Sequence, residues 1–194
     1  MNKAKLFFVT LLFMELGCHL ALAQQKFERE TRLSEKEVPT SALQFVEALN
    51  ANCKVKWYKE ESLTNNSLEA KFKRGKQKYS VEFDTTGQLE DVEIEIKWQE
   101  IPKQVGDSVQ KEIEFLCVRS KLSKIQVQYV GNQEDIVVFL NTKSLTEKII
   151  AKYEIVLKCS SNEKIALLEC LFSAEGKLEK TSEIIFKNSS NLEY

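Results

Sequence analysis

The chain has 194 residues, 28 basic and 29 acidic side chains, a net charge of −1 and 43% hydrophobic residues. Charges this balanced and interspersed lack the basic stripe of a nucleic-acid binder, and the apolar content suffices to fill a core. The only histidine is His19. It falls inside the leader described next, so the remainder holds no Ser-His-Asp or Cys-His hydrolase and no histidine-ligated metal.

Lys3 and Lys5 precede an apolar run from Leu6 to Met14, and the segment ends Ala21-Leu22-Ala23. This order predicts a signal peptide over 1–23, cleaved near Ala23, with an apolar run too short to span a bilayer. The mature chain carries no second run of membrane length, and its expected location is periplasmic or secreted. Leu16-Gly17-Cys18 resembles the end of a lipoprotein signal. Glu15 stands where such signals carry an aliphatic residue, so attachment through Cys18 is the lesser expectation. Lys3, Lys5 and Glu15 leave with the signal, which takes the net charge from −1 to −2. Residues 24–37 are polar and read as a leader of low order.

A helix is expected after Val38-Pro39, where Ala42, Phe45, Val46 and Leu49 form one apolar stripe and Thr40 or Ser41 supplies a hydroxyl cap. The period then changes to two. Val55 and Trp57 alternate, followed by Leu68, Ala70 and Phe72, then Tyr79, Val81 and Phe83, then Val92, Ile94, Ile96 and Trp98. Polar residues fill most positions between them, which predicts antiparallel strands with one buried and one wet face. Gly75 marks one turn, and Asp84-Thr85-Thr86-Gly87 marks the next, with Gly87 supplying a positive φ.

A second helix is expected after Ile101-Pro102, with Val105, Val109, Ile113 and Leu116 as its stripe. Pro39 and Pro102 suit helix starts because the first turn has no acceptor for the missing N–H. Next comes a strand pair, Ile125-Val127-Tyr129 and Ile136-Val138-Leu140, joined at Gly131-Asn132. Tyr153, Ile155 and Leu157 then answer Leu68, Ala70 and Phe72. Leu168, Cys170 and Phe172 answer Tyr79, Val81 and Phe83, and Ser173-Ala174-Glu175-Gly176 answers the Gly87 turn. The expected fold is therefore α+β, in two tandem repeats over 38–100 and 101–187. Each is one helix packed on an antiparallel sheet of about four strands, and 188–194 is a C-terminal tail.

Cys53, Cys117, Cys159 and Cys170 allow three disulfide pairings. Cys159 and Cys170 stand about 20 Å apart along their strands if the hairpin turns near Ser161. Cys53 and Cys117 meet only if two helix ends converge. The pairing stays open, and Cys170 reads as a small core hydrophobe. Glu90, Asp91, Glu93 and Glu95 form an acidic strand whose charge reads as a wet sheet face, with no metal site expected. Trp57 and Trp98 fit apolar strand faces. Tyr58 has the opposite parity, and with Lys56 and Lys59 it is the candidate contact for a partner.

The Val-Pro and Ile-Pro helix starts, the Lys56-Trp57 strand and the unit from Tyr79 to Gly87 resemble the exported PepSY-like, β-lactamase-inhibitor-like proteins of Bacteroidetes. The resemblance covers roughly Val38 to Phe186. The second copy has Ser173 where the first has Asp84. The resemblance implies a helix-plus-sheet repeat with a concave sheet that grips another protein, and it carries no inhibitory activity over. The expected function is a non-catalytic module that binds an unidentified protein of the cell envelope, without cofactor, metal or nucleic acid. The alternative is a small-molecule or lipid carrier with a cavity between helix and sheet.

Overall fold

A computed structural model describes residues 24–26, 28–49, 53–62, 65–144, 146–161 and 164–185. The expected signal peptide (1–23), Phe186 and the expected tail (188–194) lie outside the described residues. The strands are β1 (Gln24–Lys26), β2 (Glu28–Leu33), β3 (Lys56–Ser62), β4 (Asn66–Arg74), β5 (Gln77–Asp84), β6 (Leu89–Glu95), β7 (Arg119–Val130), β8 (Ile150–Ser160), β9 (Ile165–Phe172) and β10 (Leu178–Ile184). The helices are α1 (Thr40–Ala48), α2 (Lys103–Leu116) and α3 (Gln133–Thr142).

All ten strands belong to one sheet in the order β1-β10-β9-β8-β7-β6-β5-β4-β3-β2. Every pairing is antiparallel except β1 with β10, which is parallel. This overturns the expectation of two tandem repeats, each a helix on its own sheet of about four strands. The reason lies in β6 and β7. Val92 faces Tyr129 and Ile94 faces Val127, so the inner faces of the two halves continue into each other and no sheet edge separates them. The polar segment expected to be a leader of low order supplies β1 and β2, the two outermost strands. Its alternation of Glu and Arg carries no apolar signal because an edge strand draws its order from pairing, here with β3.

The period-two residues face the helices and form one continuous core. Trp57, Phe83, Ile94, Val127, Ile155, Cys170 and Phe172 share it with Phe45, Val109 and Ile113 of α1 and α2. The Phe83 ring lies 5.6 Å from Phe45 and 5.9 Å from Trp57. Burying a side chain of this size contributes roughly 2 kcal/mol. Pro39 and Pro102 are the residues immediately before α1 and α2, and their carbonyls accept from Leu43 and Gly106. Neither Thr40 nor Ser41 caps α1, and Ser41 Oγ instead donates to Thr86 O at 3.4 Å.

That contact belongs to a close approach between turn and helix. Gly87 has φ +84°, and a Cβ there would lie 2.6 Å from Pro39 Cβ. Gly176 has φ +79°, and its Cβ would lie 2.6 Å from Val105 O. In the first turn Asp84 Oδ1 accepts from Thr86 N and Gln88 N. In the second, Ser173 Oγ accepts from Glu175 N and Lys177 N. The hydroxyl thus serves where the carboxylate is missing.

Two further expectations are corrected. The segment containing Ile136, Val138 and Leu140 is α3, not a strand. Asn132 Oδ1 accepts from Asp135 N at 2.8 Å, Glu134 and Asp135 occupy the first turn, and Ile136, Phe139 and Leu140 are buried while Val138 is 53% exposed. Trp98 lies beyond β6 in a 3-10 turn over Trp98–Glu100. It is half-buried against Gly106, where an added Cβ would sit 3.7 Å from the indole.

Candidate functional site

The helices leave the other face of the sheet open, and three zones of different chemistry lie on it. The first is a cleft of about 470 Å³ at the β4–β5 hairpin end. Lys54 and Lys56 approach it from the start of β3, Lys73 and Ser80 from the hairpin, and Lys124 and Gln126 from β7. Lys71 and Lys78 line it too, but each has acidic partners. Lys78 pairs with Glu95 at 2.8 Å, and Lys71 pairs with Glu30 and Glu69 at 2.7 Å each. Lys54, Lys56, Lys73 and Lys124 form no ion pair among the described residues.

The second zone is an acidic band across the middle of the face. Glu69 stands opposite Glu82, and Glu82 opposite Asp91, on adjacent strands. Strand parity places these side chains on one face, where the alternation reads as wet, yet Glu60, Glu69, Asp91, Glu93 and Glu154 are buried by their neighbours. Glutamines separate some of the charges. Gln126 Nε2 donates to Glu93 Oε2 at 2.8 Å, and Gln128 Nε2 to Asp91 Oδ2 at 2.9 Å. Burial, and then the negative charges of Glu154, Glu82 and Asp91, push the Glu93 carboxyl well above the usual range. Burial also opposes ionisation of Glu69, but hydrogen bonds with Glu60, Lys71 and Ser80 outweigh it and hold that carboxyl low.

Carboxylate oxygens of Glu30, Glu60 and Glu69 lie within 4.8 Å of one another, the one grouping among the described residues with the donor set for a cation. Lys71 already sits between two of them and Ser80 donates to Glu69, so the cluster has its counter-charge built in.

The third zone is apolar. Val156, Leu167 and Leu171 stand on the same face of β8 and β9, paired across strands with Glu169, Lys158 and Glu154. Val156 is buried and the two leucines are half-buried.

Of the residues expected to contact a partner, Lys56 and Tyr58 lie on this face and Lys59 does not. Lys59 has the parity of Trp57 and pairs with Glu61 at 2.8 Å. Tyr58 is half-buried rather than free in solvent, with Lys71 Nζ 5.2 Å from its ring centroid. Trp57, Phe83, Phe172, Gly87, Gly176, Pro39, Pro102 and Trp98 all serve the core or its turns. Sequence reasoning did not reach Gln126, because a glutamine in an alternating strand reads as solvated. The cysteines resolve as one disulfide between Cys117, after α2, and Cys159, near the end of β8, with Cα atoms 5.4 Å apart. Cys170 is a free, fully buried thiol whose pKa burial raises to about 11, and free Cys53 lines the cleft.

No helix among the described residues is long and apolar enough to cross a membrane. No family model matches the sequence and no curated protein matches it, so the PepSY-like resemblance rests on the residues quoted for it alone. Among solved structures the chain is similar to a protein of Bacteroides eggerthii described as periplasmic, at 10% identity and TM-score 0.47, over 75% of this chain and 88% of that one. It is similar to a DUF2874 family protein of Bacteroides ovatus at 12% identity and TM-score 0.48, over 75% and 87%. It is also similar to a BLIP-like protein of Bacteroides fragilis at 15% identity and TM-score 0.46, over 78% and 91%. Each is a protein this chain resembles in the course of its backbone, and none lends it an activity.

Proposed function

We propose that the chain is an exported, non-catalytic binding module that contacts a protein of the cell envelope through the helix-free face of its sheet. One observation carries the reading. All three helices contribute to a single core on one side, while the other side presents unpaired lysines, buried carboxyls and half-buried leucines on rigid strands. A face that mixes fixed charge with partly covered aliphatic side chains is suited to a protein surface, which supplies complementary charge and apolar contact together. The carrier reading has less support, because Phe45, Leu49, Phe83, Ile136 and Phe172 fill the space between helices and sheet. The signal peptide over 1–23 would place the mature chain in the envelope.

The test is site-specific photo-crosslinking in the native envelope fraction. A photoreactive residue replaces Tyr58 or Leu171 on the open face, or Val138 on the exposed side of α3 as the control. The expected result is a discrete cross-linked protein from positions 58 and 171 and none from 138. Cross-links confined to position 138, or absent from all three, would refute the reading.

A further inference from the structure

The cleft of about 470 Å³ is more specific than the face around it. Three of its lysines, at 54, 56 and 73, form no ion pair among the described residues, and Lys124 beside them makes no close pair and acts on the buried Glu93 only through space, although the chain as a whole carries −1. Like charges gathered round a concavity with protein walls focus a positive potential and repel one another, and an anion entering relieves both. Gln126 adds a second requirement. It is 5% exposed, its Nε2 is committed to Glu93, and its Oε1 is buried with no hydrogen-bond partner. A buried acceptor left this way is destabilising, and a donor that reached it from the cleft would relieve that cost.

A ligand for this cleft therefore brings several negative charges together with an N–H or O–H group. The cleft is lined from the start of β3 to β7, five adjacent strands, which spans roughly 19 Å at the usual strand spacing. An extended peptide covers that distance in about six residues and alternates its side chains between two faces. Its acidic side chains would meet the lysines while a backbone N–H reached Gln126.

We infer that the lysine-rimmed cleft receives an extended acidic segment of the protein partner, laid across the strands, with Gln126 Oε1 accepting from its backbone. This rests on the protein-binding reading and names the chemistry of the partner. Cys53, half-buried on the same cleft, supplies a built-in reporter.

The experiment uses the mature chain and a fluorescein-labelled hexapeptide, Glu-Thr-Glu-Thr-Glu-Thr, followed by anisotropy at low salt. Its Gln-for-Glu counterpart and a thymidine hexanucleotide are the comparison probes. The acidic peptide is expected to bind at least ~tenfold more tightly than either, to weaken with salt, and to slow alkylation of Cys53. The double variant Lys56→Glu/Lys73→Glu changes exposed side chains only, and it is expected to lose at least ~tenfold in affinity with an unchanged melting temperature. Gln126→Leu is expected to weaken binding without changing the salt slope. Equal binding of the Glu and Gln peptides, or acidic-peptide affinity unmoved by the double variant, would overturn the inference. Tighter binding of the oligonucleotide would overturn it too and assign the cleft to a nucleic acid. A null peptide result beside a persistent cross-link at position 171 removes this inference alone. Peptide binding with no cross-link from the face removes the protein-binding reading, and with it the partner, while leaving the cleft's affinity for an acidic segment established.

Discussion

Glu93 sits between Ser80 on β5 and Gln128 on β7, with Glu82, Asp91 and Glu154 near enough to raise its proton affinity. A carboxyl raised in the folded state binds its proton more tightly there than in the unfolded chain. Its contribution to stability is therefore complete below the ordinary carboxylate value of 4.5 and is lost as pH rises through the folded value. Glu93→Gln removes the ionisation and keeps an oxygen that can accept from Gln126 Nε2. The variant should melt with the parent near pH 4 and be more stable by at least about 1 kcal/mol at pH 8, as expected when a poorly compensated buried charge is removed. Thermal melts across that range check it, and a variant less stable than the parent at pH 8 would show that the charge of Lys124, which favours the ionised form, compensates Glu93.

At the scale of elements, α3 is held by its cap and by its C-terminal contacts. Asn132 caps its first turn, Arg74 donates to Leu140 O and Asn141 Oδ1 at 3.1 Å each, and Asn141 Nδ2 donates to Ala48 O at 2.9 Å. The helix thereby ties the β4–β5 hairpin to α1. Asn132→Ala should cost about 1 kcal/mol of stability, the usual value of an N-cap, measured by urea denaturation, and Asn132→Asp should restore most of it. The same helix shows where sequence patterning failed. Ile136-Val137-Val138-Phe139-Leu140 is an unbroken apolar run, and such a run satisfies period two and period 3.6 alike. Asn132 with Glu134 and Asp135 was the signal that could have decided it. Strands β3 to β10 and helices α1 and α2 were legible from their apolar periodicity, whereas β1 and β2 were not, since edge strands ordered by pairing carry no apolar stripe. In the candidate site Lys56 and Tyr58 were legible from strand parity, and parity also puts Lys59 on the opposite face. The Cys117–Cys159 bond was not legible, since it joins the end of a helix to the far end of a strand 42 residues on, a proximity only the packed sheet creates.

For the whole molecule, the consequence of the β6–β7 pairing is cooperativity. Residues on either side of 100 share one core, and separating them would expose Val92 and Ile94 on one side and Val127 and Tyr129 on the other, each pair now buried or half-buried across the joint. The loss of several such side chains from the core is worth roughly 2 kcal/mol each, comparable in sum with the total stability of a small domain. Neither half should therefore persist while the other unfolds. The chain provides a probe for each. Trp57 and Trp98 both lie in the first half, and the buried Cys170 thiol lies in the second. Urea unfolding followed by tryptophan fluorescence should share one midpoint with unfolding followed by labelling of Cys170, performed on a Cys53→Ser variant so that the thiol signal comes from one site. Midpoints separated by more than the error of the fits would mean that the sheet breaks at β6–β7 and that the halves are independent units after all. Coincidence would mean that a contact on the lysine cleft, which draws residues from both halves, is felt by the stability of the whole chain, since a ligand bound only to the folded state stabilises everything that must unfold with its site.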